Sequence, residues 1–305
     1  MKYRVQTLFM RDNPVIRVVG CGGTGGYVAE LLCRLFTGRE MRLTLQDHDR
    51  IEPHNLLRQN FYPDELGEFK SKALATRLSR QFHRAIGYSI YPYKAENERL
   101  YDGMDTVSGL WATHGPLDLT IGCVDNALAR QHMAVGIRGE KWWIDAGNGE
   151  TWGQVLLGGG PPDFSRERSW AFTRNGVCHA LPLPTVQRPD LLENQPDVRP
   201  DLDCAAALDL TDQDPTINHM MASLVVQVVR RMAAGTCPWM ALYLNLEAGT
   251  VHPIYATAEE VSKVTGVKVK DLEQRPFYVR GGKSLIDVYA DELEEKPRGY
   301  VAEAE

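Results

Sequence analysis

Several residues in this chain have the types and spacing that phosphate chemistry requires. The stretch Val15-Ile-Arg-Val-Val-Gly-Cys-Gly-Gly-Thr-Gly-Gly-Tyr27 sets Gly20, Gly22 and Gly25 in a G-x-G-x-x-G pattern, with Gly23 and Thr24 inside it. The first glycine permits a tight turn, the second lets a phosphate approach the main chain, and the third lets helix and strand pack closely. Exposed N–H groups and the positive dipole end of the following helix would hold the phosphate. Such a turn points to a nucleotide and leaves the reaction open. Asp47 follows the turn by about 20 residues, where nucleotide folds place a carboxylate on the ribose hydroxyls. Next come Asn55, Arg58 and Gln59, then Lys70 and Lys72, and much later Asp125 and Asn126. Hydride transfer has no use for an Arg and a Lys beside the phosphate turn. A triphosphate does: Arg58 and Lys70 can neutralise charge that develops as the α-phosphate is attacked. Asp125, at the end of an apolar run, suits magnesium bound to nucleotide phosphates. Taken singly, Arg58 also suits a loop salt bridge, either lysine a solvated helix face, and Asp125 a helix N-cap. Their joint order favours the triphosphate.

The elements that must position these groups alternate strand and helix. Val15 to Val19 reads as a buried strand, with a helix from near Thr24 carrying Tyr27, Val28, Leu31, Leu32 and Leu35 at helical spacing. Met41 to Asp47 alternates as a second strand, and residues 49–62 are irregular. A long helix is predicted over 64–84, burying Leu66, Phe69, Ala73, Leu74, Leu78 and Phe82, then a strand over 88–93. Strands over 117–124 and 141–145 flank a helix over 127–137. This alternation implies a parallel sheet with right-handed crossovers. The second half differs. A strand over 154–157 ends at Gly158-Gly-Gly-Pro-Pro162, and residues 161–215 hold many prolines and no sustained period. A loop of that length is usually functional or mobile. Order returns in a helix over 217–232, a strand pair over 241–247 and 251–255, and a capping box Thr257-x-x-Glu260. The expected fold is thus α/β: a Rossmann-like, doubly wound, mostly parallel sheet, with antiparallel strands added in the second half and a long crossover loop.

A chain of 305 residues, 43% hydrophobic and 24% charged, has the make-up of an ordinary globular enzyme. The net charge of -6, with no Lys/Arg-dominated stretch, argues against a nucleic-acid partner. The opening residues lack the apolar region of a signal peptide, and no run is long enough to span a membrane. The six cysteines never form C-x-x-C. Reduced thiols and a cytoplasmic setting are expected.

Gly20-Cys-Gly-Gly-Thr-Gly25, Asp47-x-Asp49, Asn55-x-x-Arg58-Gln59, Gly67-x-x-Lys70 and Val124-Asp125-Asn126, in this order, resemble the ThiF/MoeB/HesA/E1 group of adenylyltransferases, over roughly residues 14–260. That resemblance implies ATP and Mg2+ as ligands and the C-terminal glycine carboxylate of a ubiquitin-like (β-grasp) protein as the group activated. It implies that Gly22 and its neighbours hold phosphate and that Asp47 holds ribose. Asn55, Arg58 and Gln59 would line the triphosphate pocket, Lys70 (the family's G-x-x-K lysine, rather than Lys72) would touch phosphate, and Asp125 would bind magnesium. Residues 143–157, WIDAGNGETWGQVLL, resemble the strand pair beneath the partner's tail. Asp203-Cys204-Ala-Ala-Ala-Leu and Asp212-Gln-Asp-Pro-Thr-Ile217-Asn218 are most similar to ThiF-like proteins of bacterial operons of the PRTRC type, which also encode ubiquitin-like and E2-like partners.

The resemblance further implies a thioester-forming cysteine in the crossover loop. Cys204 occupies a comparable position, and Cys178 beside His179 is the second candidate. Cys21, Cys33 and Cys123 read as structural. Relatives that bind structural zinc use paired C-x-x-C, absent here, so no zinc is expected. Family homodimers pass an N-terminal Arg to the neighbouring site; Arg4 and Arg11 both remain open for that role. An adenylation domain over 1–260, with its crossover loop at about 161–215, and a C-terminal extension over 261–305 complete the expected layout. The extension matches nothing in the small relatives and is a place for a partner. Alternatives are activation of a small molecule or tRNA base on the same fold, an NAD-dependent oxidoreductase, and a non-catalytic scaffold that binds a ubiquitin-like protein.

Overall fold

The computed structural model describes residues 3–5, 13–94, 117–137, 141–159, 171–173, 176–193, 215–273, 279–280 and 283–284. Cys204 and Arg11, and most of the crossover loop, lie outside the described residues. A short strand β1 (Arg4–Val5) precedes β2 (Val15–Val19), whose Val-Ile-Arg-Val-Val sequence favours extended backbone. Then follow α1 (Gly23–Leu35), β3 (Arg42–Gln46), α2 (Lys70–Phe82), β4 (Ile86–Ser89), β5 (Leu119–Gly122), α3 (Ala127–Gly136), β6 (Trp142–Asn148) and β7 (Trp152–Gly159). The second half holds β8 (Val177–Cys178), α4 (Pro184–Gln187), α5 (Pro215–Ala233), β9 (Trp239–Asn245), β10 (Thr250–Tyr255), α6 (Ala258–Thr265) and α7 (Val269–Leu272).

The main sheet runs β10-β9-β7-β6-β5-β2-β3-β4. The five strands from β4 to β6 are parallel, and β7, β9 and β10 join antiparallel. This is the expected doubly wound sheet with its antiparallel addition. Chain order reverses direction at β2, with β3 and β4 on one side and β5 and β6 on the other. The crevice at the C-terminal ends of β2 and β5 is the switch point where such sheets bind ligands.

Period-two alternation gives each face its own core. Ile16, Val18, Leu43, Leu45, Leu119 and Ile121 are buried in the larger core with α1, α2 and α5. Val19 and Trp143 point the other way, to Met133 of α3, to Ile137 just past its end and to Tyr93. Helix α5 packs along α1 and onto β7 at Gly153, where a Cβ would run into the Met221 side chain. Leu272 is fully buried in the larger core, and α6 spans residue 260. Among the described residues no helix is long and apolar enough to cross a membrane.

Local differences from the sequence reading have physical causes. Helix α2 starts at Lys70, not near 64: Pro63–Glu65 is a short 3-10 turn, and Gly67 has φ +82, which breaks the run. Leu66, expected in the buried stripe, is 43% exposed. The fourth strand lies at Ile86–Ser89, earlier than 88–93. Strand β7 runs on through Gly158, where the Pro182 carbonyl of the crossover segment comes too close for any side chain.

Candidate functional site

The glycine turn sits on the switch point. Gly20, at φ +86, takes a left-handed conformation, and a Cβ there would strike the Cys123 carbonyl. A Cβ on Gly25 would strike the Gly20 carbonyl, so the start of α1 rests on the turn itself. Gly22 is different: the nearest atom to a Cβ there is Gln59 Oε1, at 3.7 Å, leaving room at the mouth of the helix. Helix α1 has no side-chain N-cap, so its first N–H groups face that space.

Asp47 holds the turn from below. Its Oδ2 accepts the Cys21 N–H at 2.6 Å and its Oδ1 the Asp49 N–H at 2.8 Å. Burial pushes its carboxyl above the usual range, opposed by these two bonds and by Lys70. Each oxygen keeps a lone pair for a further donor such as a ribose hydroxyl.

The Arg58 loop and the start of α2 form one wall. Pro53–Leu57 is a 3-10 turn closed by reciprocal bonds between Glu52 and Asn55; the Glu52 N–H donates to Asn55 Oδ1 at 3.0 Å. Asn55 is 3% exposed, so its side chain shapes the loop. Gln59 crosses Gly22, and its Oε1 is buried with no protein partner among the described residues. An unpartnered amide oxygen over an open glycine fits a ligand phosphate, since rotation of the amide presents its NH2 there. Lys70, the first residue of α2, is 8% exposed and sets Nζ 3.0 Å from Asp49 Oδ2. Ser71 ties α2 to the site through bonds to the Asp47 and Ser89 carbonyls at 2.8 and 2.9 Å. Lys72 instead faces solvent, paired with Glu68.

The opposite wall is the end of β5. Asp125 is exposed, with one long contact of 3.4 Å from Asn126 Nδ2. Asn126 is the N-cap of α3, accepting the Ala129 N–H at 2.8 Å. Arg130, one turn into α3, holds this corner: its Nη2 donates to the Val124 carbonyl at 2.5 Å and its Nε lies 3.2 Å from Asp145 Oδ1. Asp145 is wholly buried; burial raises its pKa and Arg130 opposes the rise. Among the described residues Asp47, His48 and Asp49 are also close enough to share a cation, but Lys70 already lies against Asp49.

Four residues of the site were not read from sequence. Arg130 and Asp145 form the buried pair just described. Thr24 donates its hydroxyl toward Asn148 Oδ1 (3.0 Å) or Asn218 Oδ1 (3.3 Å), and Asn218 Nδ2 reaches the Arg58 carbonyl at 3.2 Å. The available signal was a polar residue in an otherwise apolar row, Asn218-Ala222-Val225-Val229. Of the cysteines, Cys178 is buried and donates to the Ala180 carbonyl, and burial pushes its thiol far above the usual range. It is not a poised thiolate. Arg4 lies in β1, paired with Val177 of the crossover segment.

Comparison with known proteins gives a consistent answer. The model of the ThiF family matches residues 12–236. The chain is 29% identical over 221 residues to ubiquitin-like modifier-activating enzyme 5 of Drosophila grimshawi, covering 72% of this chain and 50% of that protein. It is 27% identical over 231 residues to the ATP-dependent ubiquitin transferase-like protein Cap2 of Vibrio cholerae serotype O1, covering 73% of this chain and 36% of that protein. The chain thus spans half or less of these curated relatives. Two solved structures share the fold: PaaA (TM-score 0.53, 15% identity, 81% of this chain and 73% of that one) and E. coli MccB with ATP (TM-score 0.52, 15% identity, 84% and 68%).

Proposed function

This chain belongs to the ThiF family, and from that premise we propose that it uses ATP to adenylate the C-terminal glycine carboxylate of a ubiquitin-like protein. The observation that carries the reading is the gathering of Gly22, Gln59, Lys70 and Asp125 around the switch point of the sheet. The names of the curated relatives support the class of substrate.

ATP would enter with its phosphates over Gly22, against the N–H groups of α1 and the Gln59 amide. Asp125 would hold Mg2+, which when bound supplies charge neutralisation to the phosphates. The substrate carboxylate, already ionised at neutral pH, attacks the α-phosphorus; an O–P bond forms, the bond to the bridging oxygen breaks, and pyrophosphate leaves. No proton moves in this step. Arg58 and Lys70 stabilise the charge gathered on the phosphoryl oxygens, Lys70 exchanging Asp49 for phosphate. Asp47 fixes the turn and takes the ribose. In a second step a thiolate attacks the acyl carbonyl, AMP leaves, and a thioester forms; burial of Cys178 favours Cys204 as its donor. The thioester would then pass to an E2-like acceptor. We also take the active form to be a homodimer.

Pyrophosphate–ATP exchange that appears only with a ubiquitin-like protein ending in glycine tests the reading. Nucleotide binding without exchange for any such partner would replace it with a scaffold role. Cys204→Ala should keep exchange and lose a reductant-sensitive conjugate, whereas Cys178→Ala should keep both; a conjugate that survives Cys204→Ala moves the nucleophile elsewhere.

A further inference from the structure

We infer that Asn218 is a positioning residue for the nucleotide site, and that it, rather than the ligand, makes position 23 a glycine. Asn218 sits in the first turn of α5 and is 2% exposed. The rest of its helix row, Ala222, Val225 and Val229, is fully buried and apolar. A buried amide among such neighbours is costly unless both its ends are bonded. The NH2 end is bonded, the oxygen shares the single Thr24 hydroxyl proton with Asn148, and both partners belong to the site. Nδ2 donates to the Arg58 carbonyl at 3.2 Å, and Oδ1 lies 3.3 Å from the Thr24 hydroxyl. One side chain on α5 therefore links the first turn of α1 to the loop that carries Arg58.

Gly23 supplies the second observation. It lies inside α1 and has no left-handed φ, so backbone freedom does not explain it. A Cβ there would meet Asn218 Nδ2 at 2.5 Å, Cγ at 2.6 Å and Oδ1 at 2.7 Å, and these are its three nearest atoms. The glycine makes room for the amide. Fixing the Arg58 main chain sets the base from which its guanidinium reaches phosphate, so Asn218 acts on ATP geometry through Arg58 and Thr24. This catalytic consequence rests on the ATP reading proposed above; the contact with Gly23 does not.

The test uses the full chain in two parts. In nucleotide-free thermal melts, Gly23→Ala should melt well below the parent, and Gly23→Ala combined with Asn218→Ala should melt above Gly23→Ala alone. A double variant that melts at or below that single variant overturns the contact. In pyrophosphate exchange, Asn218→Ala should lower kcat/KM for ATP about 10-fold, as expected for loss of the bond that holds the Arg58 carbonyl, with KM for the ubiquitin-like partner within about two-fold. Asn218→Asp should be worse, because its carboxylate faces the Arg58 carbonyl with no proton to offer. Equal losses toward ATP and partner, or none, overturn the positioning role. If the parent shows no exchange, the ATP reading fails by itself. Calorimetric binding of a non-hydrolysable ATP analogue then decides Asn218, weaker binding by Asn218→Ala supporting the role and unchanged binding overturning it.

Discussion

Lys70 and Lys72 are neighbours in sequence with opposite environments. The Lys70 side chain is 10% exposed and meets Asp49, while that of Lys72 is 47% exposed and pairs with Glu68 one turn away. An exposed pair of the second kind contributes little. Removal of a charge that stabilises a developing phosphoryl charge costs about 100-fold or more. Lys70→Ala should therefore cut pyrophosphate exchange by about 100-fold, and Lys72→Ala should leave it within about two-fold; comparable losses would remove Lys70 from the phosphate wall. Arg58→Ala and Asp125→Ala should lose exchange as Lys70→Ala does, and full activity in either would undo the pocket assignment. Residues proposed to meet the nucleotide were legible because phosphate chemistry restricts their type and spacing. Residues that meet only other protein atoms were not. Asn218 touches Arg58 from 160 positions away, and no local spacing records such a contact.

The elements were legible where one period runs clean. Strand β2 and helices α1, α3 and α5 lie close to where apolar spacing puts them. The start of α2 was missed because Leu66 and Phe69 extend the helical pattern backward, while Gly67 and the 3-10 turn before it decide the chain path. In the folded protein Phe69 lies under the Arg50 guanidinium, 3.9 Å from its ring centre. Helix α3 owes its position to Arg130 as well as to its cap. A buried pair such as Arg130–Asp145 adds little net stability, but loss of one partner strands the other charge. Arg130→Met should destabilise the protein by about 3–5 kcal/mol in denaturant titrations. The double change Arg130→Met with Asp145→Leu should recover most of that loss. A single change that costs less than about 1 kcal/mol would mean that the corner at Val124 stands without the pair.

At the scale of the molecule, strand and helix alternation was enough to forecast the parallel sheet and its antiparallel addition; the switch point at β2 is read from the strand order. The path of the crossover segment was not legible, because its anchors are main-chain contacts such as the Gly159–Leu181 bridge. The buried thiols give the whole fold an alkaline limit. Burial pushes Cys33 from 9.0 to about 12. Between those values the unfolded chain has released a proton that the folded chain keeps, so stability is fully present below pH 9.0 and falls as pH rises. The melting temperature of Cys33→Ala should accordingly decline less steeply than that of the parent between pH 9.0 and about 10.5; parallel declines would show that the thiol does not couple to folding. One more property follows from β1. Its Val5 N–H reaches the Cys237 carbonyl at 2.7 Å, and the adjacent Tyr3 hydroxyl reaches Glu273 at 2.7 Å, 270 residues along the chain. A ribosome releases Tyr3 long before it makes Glu273. Strand β1 meets its partner Val177 first and Cys237 later, and the Tyr3 hydroxyl meets Glu273 only after both have been made, in the slow manner of distant contacts.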